Sequence, residues 1–188
     1  MHGSPAIDKM GIAQTAGAME GKEVRFGPAA SGFWSIVTTV ISTGSVNSMH
    51  DSSMPVSGAM QLLAMMVNSF YGGCGVGILN FFIFIILAIF LSGLMVGRTP
   101  EFFGKKIEAR EVKIAAFIAI LHPLLILAGT ALASWFAANN TAMGYWFSGN
   151  ATGWLNNPGY HGFSEMLYEY TSSSANNGSG FEGLGDNN

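Results

Sequence analysis

Two short stretches of this chain combine glycine with hydroxyl and amide side chains in a way that suits cation chemistry. The first runs Ser42-Thr43-Gly44-Ser45-Val46-Asn47, and the second runs Ala175-Asn176-Asn177-Gly178-Ser179. Each follows an apolar or amphipathic segment too short to cross a bilayer, Gly32 to Ile41 and Gly162 to Ser174. Placing Gly44 on Gly178 also places Thr38-Thr39 on Ser172-Ser173, Thr43 on Asn177 and Ser45 on Ser179. The Gly-Phe pairs that open the two segments fall out of register, so the internal repeat is partial. A short helix that dips into the membrane and returns as extended chain can aim backbone carbonyls at a common axis. Such carbonyls replace the hydration shell of an ion such as potassium. Glycine permits the backbone turn that a Cβ would forbid, and the C-terminal ends of the helices carry partial negative charge towards the cation.

Chain of this kind must sit in a membrane, because non-helical backbone at bilayer depth survives only inside protein or along a water-filled cavity. The composition agrees. Only 10% of the 188 residues are charged, against roughly 25% in a soluble domain, and the mean hydropathy is +0.38. Val76 to Gly97 carries no charge and meets the roughly 20 residues a transmembrane helix needs; Ile114 to Ala138 is a second span, containing His122 and Pro123. Pro123 is expected to bend that span, and His122 to serve as a hydrogen-bonded structural residue. Between the first loop and the first span, Pro55 to Tyr71 reads as a helix, followed by Gly72-Gly73-Cys74-Gly75-Val76-Gly77. Four glycines in six residues break a helix, and broken intramembrane helices are a device of transport sites.

Five of the eight basic residues lie in Arg98 to Lys113, between the spans, which places that loop in the cytoplasm. Residues 1–30 and 139–160 then lie outside, and Tyr145, Trp146 and Trp154 suit the interface there. The net charge of −3 gives no support for nucleic-acid binding. A single cysteine, Cys74, excludes an intrachain disulfide and a zinc cysteine cluster. Residues 1–27 show no signal-peptide pattern. Neither a G-x-x-x-x-G-K-[ST] loop nor an Asp-Lys-Thr phosphorylation sequence occurs, so no enzyme activity is expected on this chain.

Longer strings carry a resemblance. Met19-Glu20-Gly21-Lys22-Glu23-Val24-Arg25-Phe26-Gly27, Gly44 to Asn47 with Met49-His50-Asp51-Ser52, and Leu94 to Glu101 are three of them. Gly104-Lys105-Lys106-Ile107-Glu108-Ala109-Arg110-Glu111, His161 to Glu165 and Ala175 to Ser179 are three more. Together they resemble the KdpA family of bacterial potassium pumps. That resemblance implies an all-α membrane protein of potassium-channel-like helix–pore loop–helix repeats, here incomplete. It implies that residues 31–97 hold the third repeat's pore helix, filter and broken second helix, and that 114–188 hold the fourth repeat's first helix, outer loop, pore helix and filter. Thr43, Gly44, Ser45, Val46, Asn47, Asn176, Asn177, Gly178 and Ser179 would then bind potassium in the filter, and Gly72, Gly73, Cys74, Gly75 and Gly77 would form a gating loop.

The implied setting is the inner membrane of a bacterium. A KdpB-like P-type ATPase there uses ATP and Mg2+, alongside KdpC- and KdpF-like accessory subunits and lipid. This chain would carry no cofactor beyond the transported ion. Half of a four-fold filter cannot enclose an ion, so the sequence reads as a fragment. Two rival readings are a Trk/Ktr-type transporter without an ATPase, and an intramembrane enzyme built on His50-Asp51, or on His122 with Glu165, and using Ser35 or Ser42.

Overall fold

The computed structural model describes residues 25–69, 72–73, 75–139, 157 and 159–181. Cys74, Tyr145, Trp146, Trp154, the last seven residues and nearly all of the two flanking loops lie outside these. Among the described residues five helices follow one another: α1 (Pro28–Val40), α2 (Pro55–Val67), α3 (Val76–Val96), α4 (Ala109–Asn139) and α5 (Tyr160–Ser174).

The polarity of the packing is the reverse of a soluble protein. The buried face of α1 consists of Ser31, Ser35, Thr38 and Thr39, at helical spacing, while Phe33 and Trp34 are exposed. Two of these hydroxyls are served by their own helix, Thr39 by the Ser35 or Ile36 carbonyl and Ser35 by that of Gly32, while Thr38 turns to the loop that follows. In contrast α3 is almost wholly apolar and, Gly77 apart, has no buried residue. A helix apolar nearly all round that protein covers so incompletely is a lipid-facing helix. Both α3 and α4 are long and apolar enough to cross a membrane, and the chain is membrane-associated.

Relative depth follows from contacts along α4. His122 bonds to Ser174 at the end of α5 (2.8 Å) and lies 3.2 Å from the Met65 carbonyl near the end of α2. At 1.5 Å per residue, His122 lies about 20 Å from the start of α4 and about 26 Å from its far end. Helices α2 and α5 therefore stop about midway along α4. Asn177 ties the end of α1 to the same level. Three helix C-termini converge there, and none of the three helices crosses. Both nitrogens of His122 are engaged, which makes it the structural residue expected.

Several boundaries differ from those expected. Helix α2 ends at Val67, short of Tyr71, because Asn68 turns into the left-handed region (φ 40°) while its N–H still bonds Ala64. Helix α4 starts at Ala109, so the last residues of the basic 98–113 loop are its first turn. That loop also holds a small antiparallel hairpin, β1 (Glu101–Phe102) and β2 (Lys105–Lys106), around Phe103 and Gly104 at φ 47° and 74°. Two successive positive φ values match the twist of a two-residue hairpin, and Glu101 faces Lys106 with opposite charge. Pro123 sits inside α4 and the helix continues through it.

Helices α4 and α5 pack tightly at Gly129, where an added Cβ would collide with the Tyr170 ring. Gly129→Leu is expected to cost about 1–3 kcal/mol of stability, the range of overpacking substitutions. Adding Tyr170→Ala should recover much of that loss; thermal unfolding of the full-length protein in detergent reads both.

Candidate cation filter

The two glycine-centred loops meet. A Cβ built on Gly44 would lie 2.8 Å from the carbonyl carbon and oxygen of Gly178 and 3.1 Å from the Asn177 oxygen. Backbone therefore packs on backbone at Gly44, and no other residue fits without moving the second loop. Gly178 needs glycine for a different reason, its φ of 83°.

The helix endings that lead into these loops repeat in conformation. Ile41 and Ala175 cap α1 and α5 with helical or near-helical angles. Ser42 and Asn176, one residue on, both turn left-handed, at φ 53° and 52°. The Thr43 N–H then bonds back to the Thr38 carbonyl (3.2 Å), as the Asn177 N–H bonds to that of Ser172 (2.9 Å). These are the six-to-one bonds of a Schellman ending, at positions paired by the repeat. The sequence repeat is thus also a structural one.

The loops differ in how they are held. In the first, the Thr38 hydroxyl lies 2.6 Å from the Thr43 carbonyl and about as close to that of Ser45, which Trp34 Nε1 also reaches at 3.2 Å. One hydroxyl proton serves only one acceptor at a time, so these carbonyls are turned back towards α1. In the second, burial alternates: Asn177 and Ser179 are buried, while Asn176 and Gly178 are exposed. Asn177 donates through Nδ2 to the Thr38 (3.0 Å) and Thr39 (3.3 Å) carbonyls, and its Oδ1 accepts from the Ser179 hydroxyl. Ser179 contacts Tyr168 OH at 2.9 Å, and Tyr168 contacts His50 Nδ1 at 2.7 Å. With Ser179 donating to Asn177, Tyr168 donates to Ser179 and His50 Nδ1–H donates to Tyr168. The residue paired with Asn177 by the repeat is Thr43, so this cross-loop strap exists once. Periodicity gave no sign of it; two successive asparagines before a glycine were the available signal.

The break between α2 and α3 packs beneath the first loop. A Cβ at Gly73 would meet the Ile41 carbonyl oxygen at 3.1 Å, and one at Gly77 would overlap the Gly72 backbone. Ser42 donates to Asn68 Oδ1 (2.8 Å), and Asn80 Nδ2 donates to the Asn68 carbonyl (2.9 Å). Of the candidate gating residues, Gly72, Gly73, Gly75 and Gly77 lie here; Cys74 is outside the described residues. Asn68 and Asn80 were not anticipated from the sequence. Neither proposed serine nucleophile faces a base: Ser35 bonds its own helix and Ser42 bonds Asn68. Glu165 lies with Asn157 and His161, and His122 with Ser174.

Residues 1–188 match the family described as KdpA, potassium-transporting ATPase A subunit. The chain belongs to the KdpA family. Relatives named potassium-transporting ATPase potassium-binding subunit include one from Flavobacterium johnsoniae, 89% identical over 188 residues, and one from Flavobacterium psychrophilum, 87% identical. One from Phocaeicola vulgatus is 65% identical over 187 residues. Each match covers all of this chain, which spans about a third of the relatives' length (33%, 33% and 32%). A whole-chain KdpA match displaces the Trk/Ktr reading.

For this KdpA member, Asn177→Ala removes the donor to two helix-end carbonyls and should cost about 1–3 kcal/mol, as for a buried group left unpaired. A melting temperature in the full-length protein unchanged to within about 1 °C would contradict the strap.

Proposed function

We propose that this chain supplies two of the pore loops of a potassium-selectivity filter, those of the third and fourth repeats of a channel-like subunit. The observation that carries this reading is the backbone contact of Gly44 with Gly178 at the level where α1, α2 and α5 all end. Potassium, stripped of water, would be held by carbonyls from Thr43, Gly44, Ser45, Val46 and Asn47 and from Asn176, Asn177, Gly178 and Ser179. Carbonyls replace hydration oxygens at little cost when they are already fixed in place, and the C-termini of α1 and α5 add a favourable dipole. The Thr43 and Ser45 carbonyls would have to exchange the Thr38 hydroxyl for the ion.

The rest of the ring comes from the remainder of the full-length protein. Gly72 to Gly77 would gate the path below the filter, since a glycine break between two half-helices can move without unfolding either. On this reading the subunit is a multi-pass protein of the bacterial inner membrane. Residues 98–113 face the cytoplasm, and residues 1–30 and 139–160 face the periplasm. It hydrolyses nothing itself: a KdpB-like P-type ATPase subunit consumes ATP with Mg2+, assisted by KdpC- and KdpF-like subunits, and the apolar flanks of α3 and α4 contact lipid.

Gly178→Asp in the full-length subunit, assembled in its complex, is expected to abolish high-affinity potassium uptake or to remove discrimination against rubidium and ammonium. Gly44→Ala, which pushes the Asn177 and Gly178 carbonyls aside, should weaken apparent potassium affinity at least tenfold. Uptake and selectivity unchanged in both variants would refute the filter assignment; whole-cell potassium, rubidium and ammonium uptake assays measure them.

A further inference from the structure

A second polar cluster lies away from the paired loops, at the start of α5. His161 and Glu165 stand at i and i+4 on that helix, and so on one face. Asp51, from the segment between α1 and α2, meets them there. One donor atom from each of the three lies within 4.8 Å of the others. His161 Nε2 is 2.6 Å from Asp51 Oδ1 and 3.7 Å from Glu165 Oε1.

The Glu165 side chain is wholly inaccessible, and while Oε1 accepts from Asn157 (2.7 Å), Oε2 has no hydrogen-bond partner among the described residues. A buried carboxylate oxygen left without a donor is costly. Burial pushes the Glu165 carboxyl up; the Asn157 hydrogen bond works against that, Asp51 adds to it, and His161 opposes it. The Phe181 ring lies parallel to that of His161, 6° from coplanar with centroids 6.4 Å apart, and His161 presents Nε2 to both carboxylates.

We propose that Asp51, His161 and Glu165 bind a divalent transition-metal cation of the zinc class, which ties the segment after the first loop to the helix before the second. Two carboxylates and one imidazole are three ligands of the two kinds, oxygen and imidazole nitrogen, that zinc takes, with water completing the shell. The imidazole separates this ion from the transported one, since potassium is bound by oxygens whereas imidazole suits zinc, copper and nickel. Ligands about 2.0–2.2 Å from a tetrahedral ion stand about 3.3–3.6 Å from one another. His161 Nε2 and Glu165 Oε1, 3.7 Å apart, already stand near that spacing, whereas His161 Nε2 and Asp51 Oδ1 must open from 2.6 Å by a little under about 1 Å. A rotamer adjustment at His161 and Asp51 supplies that, because both are accessible, at 46% and 17% side-chain exposure. Solvent reaches the site from the His161 side, and Glu165 closes it from within. The ion supplies the positive partner that Glu165 Oε2 lacks. Asp51 adjoins His50, which reaches Asn177 through Tyr168 and Ser179, so the ion would brace the two-loop unit from its rim. It would bind whether or not the loops conduct potassium.

Zinc titrated by calorimetry into the detergent-solubilised full-length subunit, in its complex, is expected to bind with a saturable component that His161→Ala and Asp51→Asn each weaken at least tenfold. Cobalt in its place is expected to give visible ligand-field bands that the same variants lose. Glu165→Gln, which keeps the side-chain shape, should weaken zinc likewise. His161 is half-exposed, so its variant tests the site even where replacement of buried Glu165 impairs folding. No saturable uptake at micromolar zinc overturns the site, as does an isotherm or cobalt spectrum unchanged by His161→Ala or by Asp51→Asn.

Discussion

Everything near the middle of this molecule depends on the absence of a side chain at Gly44. The Gly178 carbonyl occupies the space a Cβ would take, so main-chain atoms of the two loops meet there at van der Waals distance, with the Asn177 side chain tying the second loop to the end of α1 beside them. Close approach of this kind cannot be achieved by side-chain packing, which would hold the backbones several ångströms further apart. It makes the position of each loop a function of the other. It also explains why the helices ending here share one geometry: two loops that touch at equivalent glycines must leave their helices at equivalent angles. The matched left-handed residues Ser42 and Asn176 are the local means of doing so.

Around that contact the protein keeps its polar groups inside. The buried residues of α1 are all hydroxylic, and Gln61, Asn68, Asn177, Ser179 and Glu165 are buried too, while Ile78, Leu79, Phe81, Phe82, Phe84 and Leu91 of α3 are exposed. In water this distribution would unfold the chain. In hydrocarbon it costs nothing on the outside, and on the inside it is tolerable where buried polar groups find partners, as Thr38, Thr39, Asn68, Asn177 and Ser179 do. Chains of hydrogen bonds polarise one another in such surroundings. The run from His50 through Tyr168 and Ser179 to Asn177, and on to the α1 carbonyls, has a single consistent proton direction. A network with one direction also has one amide orientation for Asn177, which holds the loop more firmly than isolated bonds would.

Much of this was legible in the residues, and the reason differs from element to element. The two spans announce themselves because hydrocarbon thickness demands length and apolarity, which composition records directly. The loop repeat is legible because glycine and hydroxyl positions are dictated by backbone geometry, which does not tolerate substitution. The end of α2 was misplaced because Asn68 is a weak stop signal compared with the four glycines beyond it; what ends the helix is the set of bonds Asn68 makes to Ser42 and Asn80, which are distant in sequence. The hairpin at 101–106 was missed because two-residue strands leave no periodicity. Long-range partnerships such as Asp51 with His161 belong to tertiary structure and have no local signature at all.

Asn177 reaches across to a neighbouring helix, whereas its counterpart Thr43 stays within its own loop. An assembly of identical subunits would have to install such a crossing at every joint or at none, because one gene writes every corner. A chain that encodes its repeats separately is free of that restriction. One corner can be stapled across to its neighbour while another, held by Thr38 and Trp34 of its own helix, stays adjustable. Two loops joined this way can be stiff on one side and yielding on the other, so that their two halves need not answer a push in equal measure.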